Sequence, residues 1–196
     1  METISEKIQN RIKRGGREHF VSSDDFMDLT NDATARQTLR RLEKSGMLTK
    51  IDTGLWYYPR SIHGVDIQYC NPEKIAAELK RRYGIQCAPI PSNWLIDMCV
   101  SIEDLPLYYT NGPTRQVNLW PNVQATFQHT TDLTIFAISI AKVRDVYICM
   151  KLIGPKGLTN EHMEYLKQKI HGLHGASFER DSMLLKPWMR KILVVE

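Results

Sequence analysis

The spacing of apolar residues over the first sixty positions leaves this chain few ways to fold. Ile4, Ile8 and Ile12 recur every fourth residue, which is one face of an amphipathic helix, and Gly15-Gly16 ends it. Phe20-Val21 is a short extended piece. Ser22 or Ser23 can cap a second helix, with Asp24 and Asp25 in its favourable first turn and Phe26 and Leu29 on its buried side. Thr30-Asn31-Asp32 makes a turn and supplies the next N-cap. A third helix is expected over 33–45, with Ala35, Leu39 and Leu42 facing inward and Gly46 closing it. Residues 48–51 and 55–58 flank Asp52-Thr53-Gly54 and read as a hairpin, ended by Pro59. Helix, helix, helix, hairpin, with a tight turn between the second and third helices, is the order of a winged helix-turn-helix.

Off the apolar face of the third helix lie Thr34, Arg36, Gln37, Arg40, Arg41 and Lys44. A helix fits the major groove of B-DNA, where arginine suits the acceptors of guanine and glutamine those of adenine. The first turns of this helix therefore carry the side chains that reading a base edge needs. Ser22, Ser23 and Thr34 can donate to phosphates, which positions a protein without reading sequence. Lys50 and Thr53 sit on the hairpin, within reach of backbone or minor groove. The competing reading is an ordinary solvated face, or a winged helix turned to protein binding. Asp24, Asp25, Asp28 and Asp32 would repel phosphate if they faced it, so they are expected on helix N-termini, turned away.

The chain has 196 residues, enough for one medium domain or two small ones with a real core. Residues 61–70 read as a linker with an extended segment at 65–69. A second domain, 71–196, opens with Asn71 as cap and Pro72 at the first helical position. Its buried stripe is Ile75, Ala76, Leu79 and Tyr83, before Gly84. Ser92 is expected to cap a helix through Trp94, Leu95 and Met98. Residues 107–110 and 115–119 read as strands around a Gly112-Pro113 turn, and 123–128 as a third strand. Residues 132–142 read as a buried helix, with a strand as the alternative. Thr159 caps a helix through Met163, Leu166 and Ile170. A last short helix is expected with Trp188, Met189, Ile192 and Leu193. The fold class that follows is α+β, a winged helix-turn-helix followed by a mixed α/β domain.

Net charge is +4, a basic excess that permits a nucleic-acid partner without demanding one. The polar N-terminus lacks the apolar core of a secretory peptide, and the apolar stretch at 133–140 is too short to span a bilayer. Cys70, Cys87, Cys99 and Cys149 form no CxxC pair and sit at no zinc-ligand spacing with histidine. The expectation is a cytoplasmic protein with reduced thiols, no metal and no cofactor.

Within the second domain, Thr114 and Arg115 follow Gly112-Pro113 on a turn where an arginine could grip a phosphate or carboxylate; the alternative is a turn chosen for geometry with Arg115 paired locally. His129 with Thr130, Thr131 and Asp132 suggests a catalytic cluster, but Asp132 is better read as a helix cap. His171 and His174, with His162, lack a completing ligand for a metal. Gly154-Pro155-Lys156-Gly157 lacks the spacing of a phosphate loop, and no nucleophile elbow is present. No enzyme is expected.

The run from Phe20 through Ser22-Ser23-Asp24-Asp25 to Leu29 resembles the opening of the AbiE abortive-infection antitoxin family. So does Leu39-Arg40-Arg41-Leu42, followed by Gly46, Gly54, Tyr57 and Pro59. Tyr109-Thr110-Asn111-Gly112-Pro113-Thr114-Arg115 is similar to a strand and turn of that family's C-terminal antitoxin domain, with Tyr108 where the pattern often has an aliphatic residue. The resemblance implies a bacterial type IV toxin–antitoxin system. The antitoxin in such a system counters a nucleotidyltransferase-like toxin, a direct complex not being required. It represses the shared promoter by binding double-stranded DNA, as a monomer or a dimer. It implies no role for residues 143–196. Two rival functions stay open at this point: a repressor whose second domain senses a small ligand, and an enzyme that modifies the toxin.

Overall fold

Thr3 opens the first helix reciprocally: its hydroxyl accepts the Glu6 amide while the Glu6 carboxylate accepts the Thr3 amide. Helix α1 (Ile4–Arg14) follows and buries Ile8 and Ile12. The computed structural model describes residues 2–103, 105–120 and 123–190. They form a mixed α+β protein in two compact units. One comprises Met1–Gly84 with Arg115–Thr126, the other Ile85–Thr114 with Phe127–Glu196.

In the first unit, strand β1 (His19–Val21) leads into Ser23–Phe26, which is a single 3₁₀ turn. The longer α-helix expected through Leu29 does not form. The Asp25 carboxylate accepts the Ser22 amide at 2.8 Å, and the amides of Leu29 and Thr30 both converge on the Phe26 carbonyl, which tightens and closes the turn. Helix α2 (Asp32–Lys44) then starts from Asn31, whose side chain accepts the Thr34 amide at 2.9 Å. Gly46, at φ +79°, supplies the left-handed step after it. Strands β2 (Thr49–Asp52) and β3 (Leu55–Tyr58) form the expected hairpin, with a bulge between Lys50 and Asp52. With β1 they make an antiparallel sheet in the order β1-β3-β2. Trp56 and Tyr58 join Ile8, Ile12, Phe26 and Leu39 in one core. Leu55 and Tyr57, which alternate with them along the strand, are also buried, so β3 is covered on both faces.

The division into units falls elsewhere than at residues 60 and 71. The stretch expected as a linker carries a second hairpin, β4 (Arg60–Ile62) and β5 (Val65–Ile67), around His63-Gly64. Both turn residues have positive φ, 49° and 80°, as a two-residue hairpin turn requires. Helix α3 (Pro72–Tyr83) has the predicted Asn71 cap, Pro72 start and left-handed Gly84 stop, but it groups with the N-terminal unit. So does strand β8 (Arg115–Trp120) with the first part of β9 (Val123–His129).

In the second unit, β6 (Cys87–Pro89) pairs antiparallel with β7 (Tyr108–Thr110), and β7 pairs in parallel with the end of β9. The strands flanking Gly112-Pro113 are therefore not a hairpin, because both edges of β7 are taken by β6 and β9. A Cβ on Gly112 would lie 2.9 Å from the Ile85 side chain, so the close approach requires glycine here. Helix α4 (Ser92–Asp97) has Pro91 in the cap position. Ser92 is its first residue and not its cap.

The single helix expected over 132–142 is replaced by α5 (Thr134–Ala137), an extended step, and α6 (Ala141–Gly157). The cause is Asp181. Its buried carboxylate accepts the amides of Ser139 at 2.9 Å and Ile140 at 2.7 Å, together with the Ser139 hydroxyl at 2.8 Å. Amides held there cannot continue α5, and the same carboxylate sits at the start of α6. Helix α6 breaks at Gly154 (φ 75°, ψ 165°), before Pro155. Helices α7 (Asn160–Ile170), capped by Thr159, α8 (Ala176–Leu184) and α9 (Pro187–Arg190) complete the description. Trp188 and Met189 fall in α9, whereas Ile192 and Leu193 lie outside the described residues. Among the described residues, no helix is long and apolar enough to cross a membrane.

Burial works against the Asp181 charge, but the Ile140 amide, the Ser139 hydroxyl and amide, and Arg180 outweigh it and hold the carboxyl below its ordinary range. A depressed folded value means that the stabilisation is fully present above the unfolded carboxyl pKa, near ~4. It is lost as pH falls through the folded value. Asp181→Ala should lower the unfolding free energy by about 3 kcal/mol at pH 7, read by urea denaturation. That difference should shrink in acid, where the wild-type carboxylate is itself protonated.

Candidate nucleic-acid interface

Helix α2 turns Ala35, Leu39 and Leu42 inward, and this settles what faces out. Gln37, Arg40, Arg41 and Lys44 stand at i, i+3, i+4 and i+7 on one exposed stripe, with Arg36 beside it and Thr34 half-buried at the helix start. Thr38 is buried. The two acids of the helix are both occupied. Glu43 accepts the Trp56 indole N–H at 2.8 Å. Asp32 accepts Arg36 Nε at 2.9 Å. That contact is made through Nε and does not use the two terminal nitrogens of Arg36, which can also reach guanine. The Ser23 hydroxyl, and after it Arg36, hold the Asp32 carboxyl below its ordinary value. Among the described residues, no ion pair takes up Arg40, Arg41 or Lys44.

On the β2–β3 hairpin, Lys50 and Thr53 are exposed. The Thr53 amide donates to Asp52 Oδ1 at 2.7 Å, and Gly54 takes φ +77° to complete the turn.

Ser22 and Ser23 do not belong to this surface. Both are buried, at 2% and 3% exposure. The Ser22 hydroxyl accepts Arg82 Nη1 at 2.8 Å, and the Ser23 hydroxyl bonds Asp32. They serve as internal partners rather than as phosphate donors. The four aspartates are also handled differently from the expectation that orientation alone removes them. Asp28 is gripped by both terminal nitrogens of Arg11 at 2.6 and 2.7 Å, Asp25 by Arg82, and Asp32 by Arg36, while Asp24 is exposed. Pairing neutralises three of them.

Arg82 is the residue that sequence reasoning missed. From α3 its guanidinium reaches the Asp25 carboxylate at 2.8 and 3.0 Å, the Ser22 hydroxyl, the Phe20 carbonyl at 3.1 Å and Glu78. Burial opposes the Glu78 charge, yet Arg81 and Arg82 together hold its carboxyl below the ordinary range. A cavity of about 510 Å³ beside this cluster is lined by Arg11, Glu18, His19, Asp25, Glu78, Arg81 and Arg82 among others, so acids and bases balance there. The sequence signal was a basic run, Lys80-Arg81-Arg82, which fits the end of any helix.

Thr114 and Arg115 do not present a free turn to an external anion. The Thr114 hydroxyl accepts the His129 amide at 2.9 Å. Arg115 Nη1 donates to Asp52 Oδ2 at 2.8 Å, with both side chains largely buried. Of the proposed His129 cluster, Asp132 accepts instead from the Tyr147 hydroxyl at 2.7 Å, Lys151 at 2.8 Å and the Thr134 amide at 3.2 Å; the cap position of α5 itself is Leu133, one residue on from the expected Asp132. His129 leans on the Gly112 carbonyl, His162 on that of Met98 and His174 on that of Gly172. No disulfide joins the four cysteines, and burial pushes Cys70 and Cys149 up to about 12.

A family of unknown function, DUF6088, matches residues 7–174, which include α2, the hairpin and α3. The chain belongs to this family. No curated protein and no solved structure matches it.

Cations that hold the unit together and cations left free should separate by stability. Arg82→Ala leaves Asp25 without its cation and Glu78 with Arg81 alone, and should cost about 3 kcal/mol. Arg40→Ala and Arg41→Ala should each stay within about 0.5 kcal/mol of wild type. Urea unfolding of the three variants checks both.

Proposed function

We propose that the N-terminal unit is a winged helix-turn-helix that binds double-stranded DNA, with α2 as its recognition helix and the β2–β3 hairpin as its wing. The observation that carries this reading is the exposed stripe of Gln37, Arg40, Arg41 and Lys44 on α2, whose three cations form no ion pair among the described residues and which Arg36 flanks. A surface salt bridge contributes little in water, so the Asp32 contact leaves Arg36 available to a base. Supporting it is the element order around α2: a helix before, a tight 3₁₀ turn, then a two-stranded hairpin whose second strand pairs with β1. Thr34, Lys50 and Thr53 are placed to touch phosphates on either side. Ser22 and Ser23 drop out of the contact set.

The protein's role, in this reading, is that of an antitoxin that represses its own promoter in the cytoplasm and counters a nucleotidyltransferase-like toxin. The support for that part is the resemblance of the segments around Phe20 and Tyr109 to AbiE antitoxins. Type IV action requires no stable complex with the toxin, so DNA is the partner to test first.

A duplex from upstream of the gene, with a scrambled duplex as control, decides the DNA reading. Each lost base contact costs about 1–3 kcal/mol, so Arg36→Ala with Arg40→Ala should lower affinity for the specific duplex by about 100-fold. Affinity for the scrambled duplex should change far less, and wild-type binding should weaken as salt rises. Equal affinity of wild type and double variant for the upstream duplex would remove α2 as the reader.

A further inference from the structure

A two-stranded hairpin is marginal by itself, and β2 lies at the open edge of the sheet β1-β3-β2. Strand β8 covers that edge. Asn118 Nδ2 donates to the Lys50 carbonyl at 2.9 Å, and Asn118 is itself oriented by Gln124, whose amide donates to its Oδ1 at 3.0 Å. One turn of the hairpin further on, Arg115 Nη1 donates to Asp52 Oδ2 at 2.8 Å. The other oxygen of the same carboxylate accepts the Thr53 amide at 2.7 Å. The Arg115 and Asp52 side chains are only 16% and 17% exposed, so water competes poorly for the pair. Below this brace the Cys70 amide donates to the Leu119 carbonyl at 2.9 Å, which ties β8 to the same unit.

We propose that Arg115, with Asn118 beside it, is a positioning residue for the wing: through Asp52 it fixes where Lys50 and Thr53 stand. The functional consequence rests on the DNA-binding reading above; the mechanical claim does not. Asp52 is the hinge of the arrangement, because one carboxylate joins the guanidinium to the wing turn. Lys50 and Thr53 are the two wing residues assigned to DNA. Each is attached to β8 by one of these contacts, Lys50 by its own carbonyl and Thr53 through Asp52. Arg115 touches no DNA in this arrangement. It removes freedom from side chains that do, and rigid contacts bind more tightly than mobile ones.

The test uses the full chain carrying Arg115→Ala, Arg115→Lys, Asp52→Asn or Asn118→Ala. Amide hydrogen exchange in β2 and β3 is read first. Loss of a charge-assisted hydrogen bond of this kind should speed exchange there by about tenfold in Arg115→Ala, with α1 and α2 unchanged. Arg115→Lys should recover part of that protection. Asp52→Asn, which keeps the shape of the side chain, should match Arg115→Ala and serves if the alanine variant folds poorly. Affinity for the upstream duplex is read second, in a cycle with Lys50→Ala. Arg115→Ala should weaken binding by about tenfold, and Lys50→Ala should add little on that background. Unchanged wing exchange in Arg115→Ala and Asp52→Asn overturns the brace, whatever the protein binds. Faster wing exchange with fully additive affinity losses overturns the route through the wing. Faster wing exchange with no DNA binding by the wild type upholds the brace and overturns the DNA reading instead.

Discussion

The N-terminal unit turns on the guanidinium of Arg82. A side chain this enclosed must find partners for its charge, and it finds them on three elements at once: the Glu78 carboxylate on its own helix, the Asp25 carboxylate in the 3₁₀ turn, and the Phe20 carbonyl on β1. Fixing Asp25 fixes the turn, since the same carboxylate accepts the Ser22 amide. Fixing the turn sets where Ser23 lies, and the Ser23 hydroxyl bonds Asp32 at the first residue of α2. The start of the proposed recognition helix is thus positioned by a cation fifty residues further along the chain.

The same pairing logic produces the charge pattern. A net charge of +4 over 196 residues is too small to mark a surface by itself. The local excess on α2 arises because its acids are used elsewhere: Glu43 on the Trp56 indole, Asp32 on Ser23 and Arg36. Asp28, close by in sequence, is taken by Arg11 of α1. What remains without an acidic partner among the described residues, on the exposed face, is Arg40, Arg41 and Lys44. Counting charges along the chain gives a mild base; following each acid to its partner gives a basic stripe.

Local rules wrote much of this fold openly. Asn31, Asn71 with Pro72, Thr159 and Gly84 each begin or end a helix by geometry that involves only near neighbours, and the Asp52-Thr53-Gly54 turn does the same for the hairpin. The exposed stripe of α2 was legible for the same reason, as the complement of Ala35, Leu39 and Leu42. Helix α6 was not, because Val143, Val146, Tyr147, Ile148, Cys149 and Met150 are all buried and leave no amphipathic period to detect. The break before it was hidden too, since Asp181 makes it from some forty residues away. Ser22 and Ser23 looked like surface donors because nothing nearby in sequence announces Arg82 as their neighbour.

Distance along the chain also explains why a boundary drawn at residue 60 cuts through a structural unit. Residues 1–60 contain the proposed reading helix and its wing, yet Asp25 and Asp52 would each lose their cation if the chain stopped there. Arg82 lies on α3, and Arg115 lies beyond a further thirty residues that belong to the other unit. Leu55 and Tyr57, on the face of β3 away from Trp56 and Tyr58, are buried in the full chain together with Cys70, Ile75, Leu79 and Val117 of the same unit. The chain therefore leaves the N-terminal unit after Gly84 and returns to it at Arg115, where it meets the β2–β3 hairpin. This gives the arginine of the Gly-Pro-Thr-Arg turn a reason to be there that needs no external ligand. A sequence signature that resembles an effector motif is, by its contacts, part of the architecture of the proposed DNA reader.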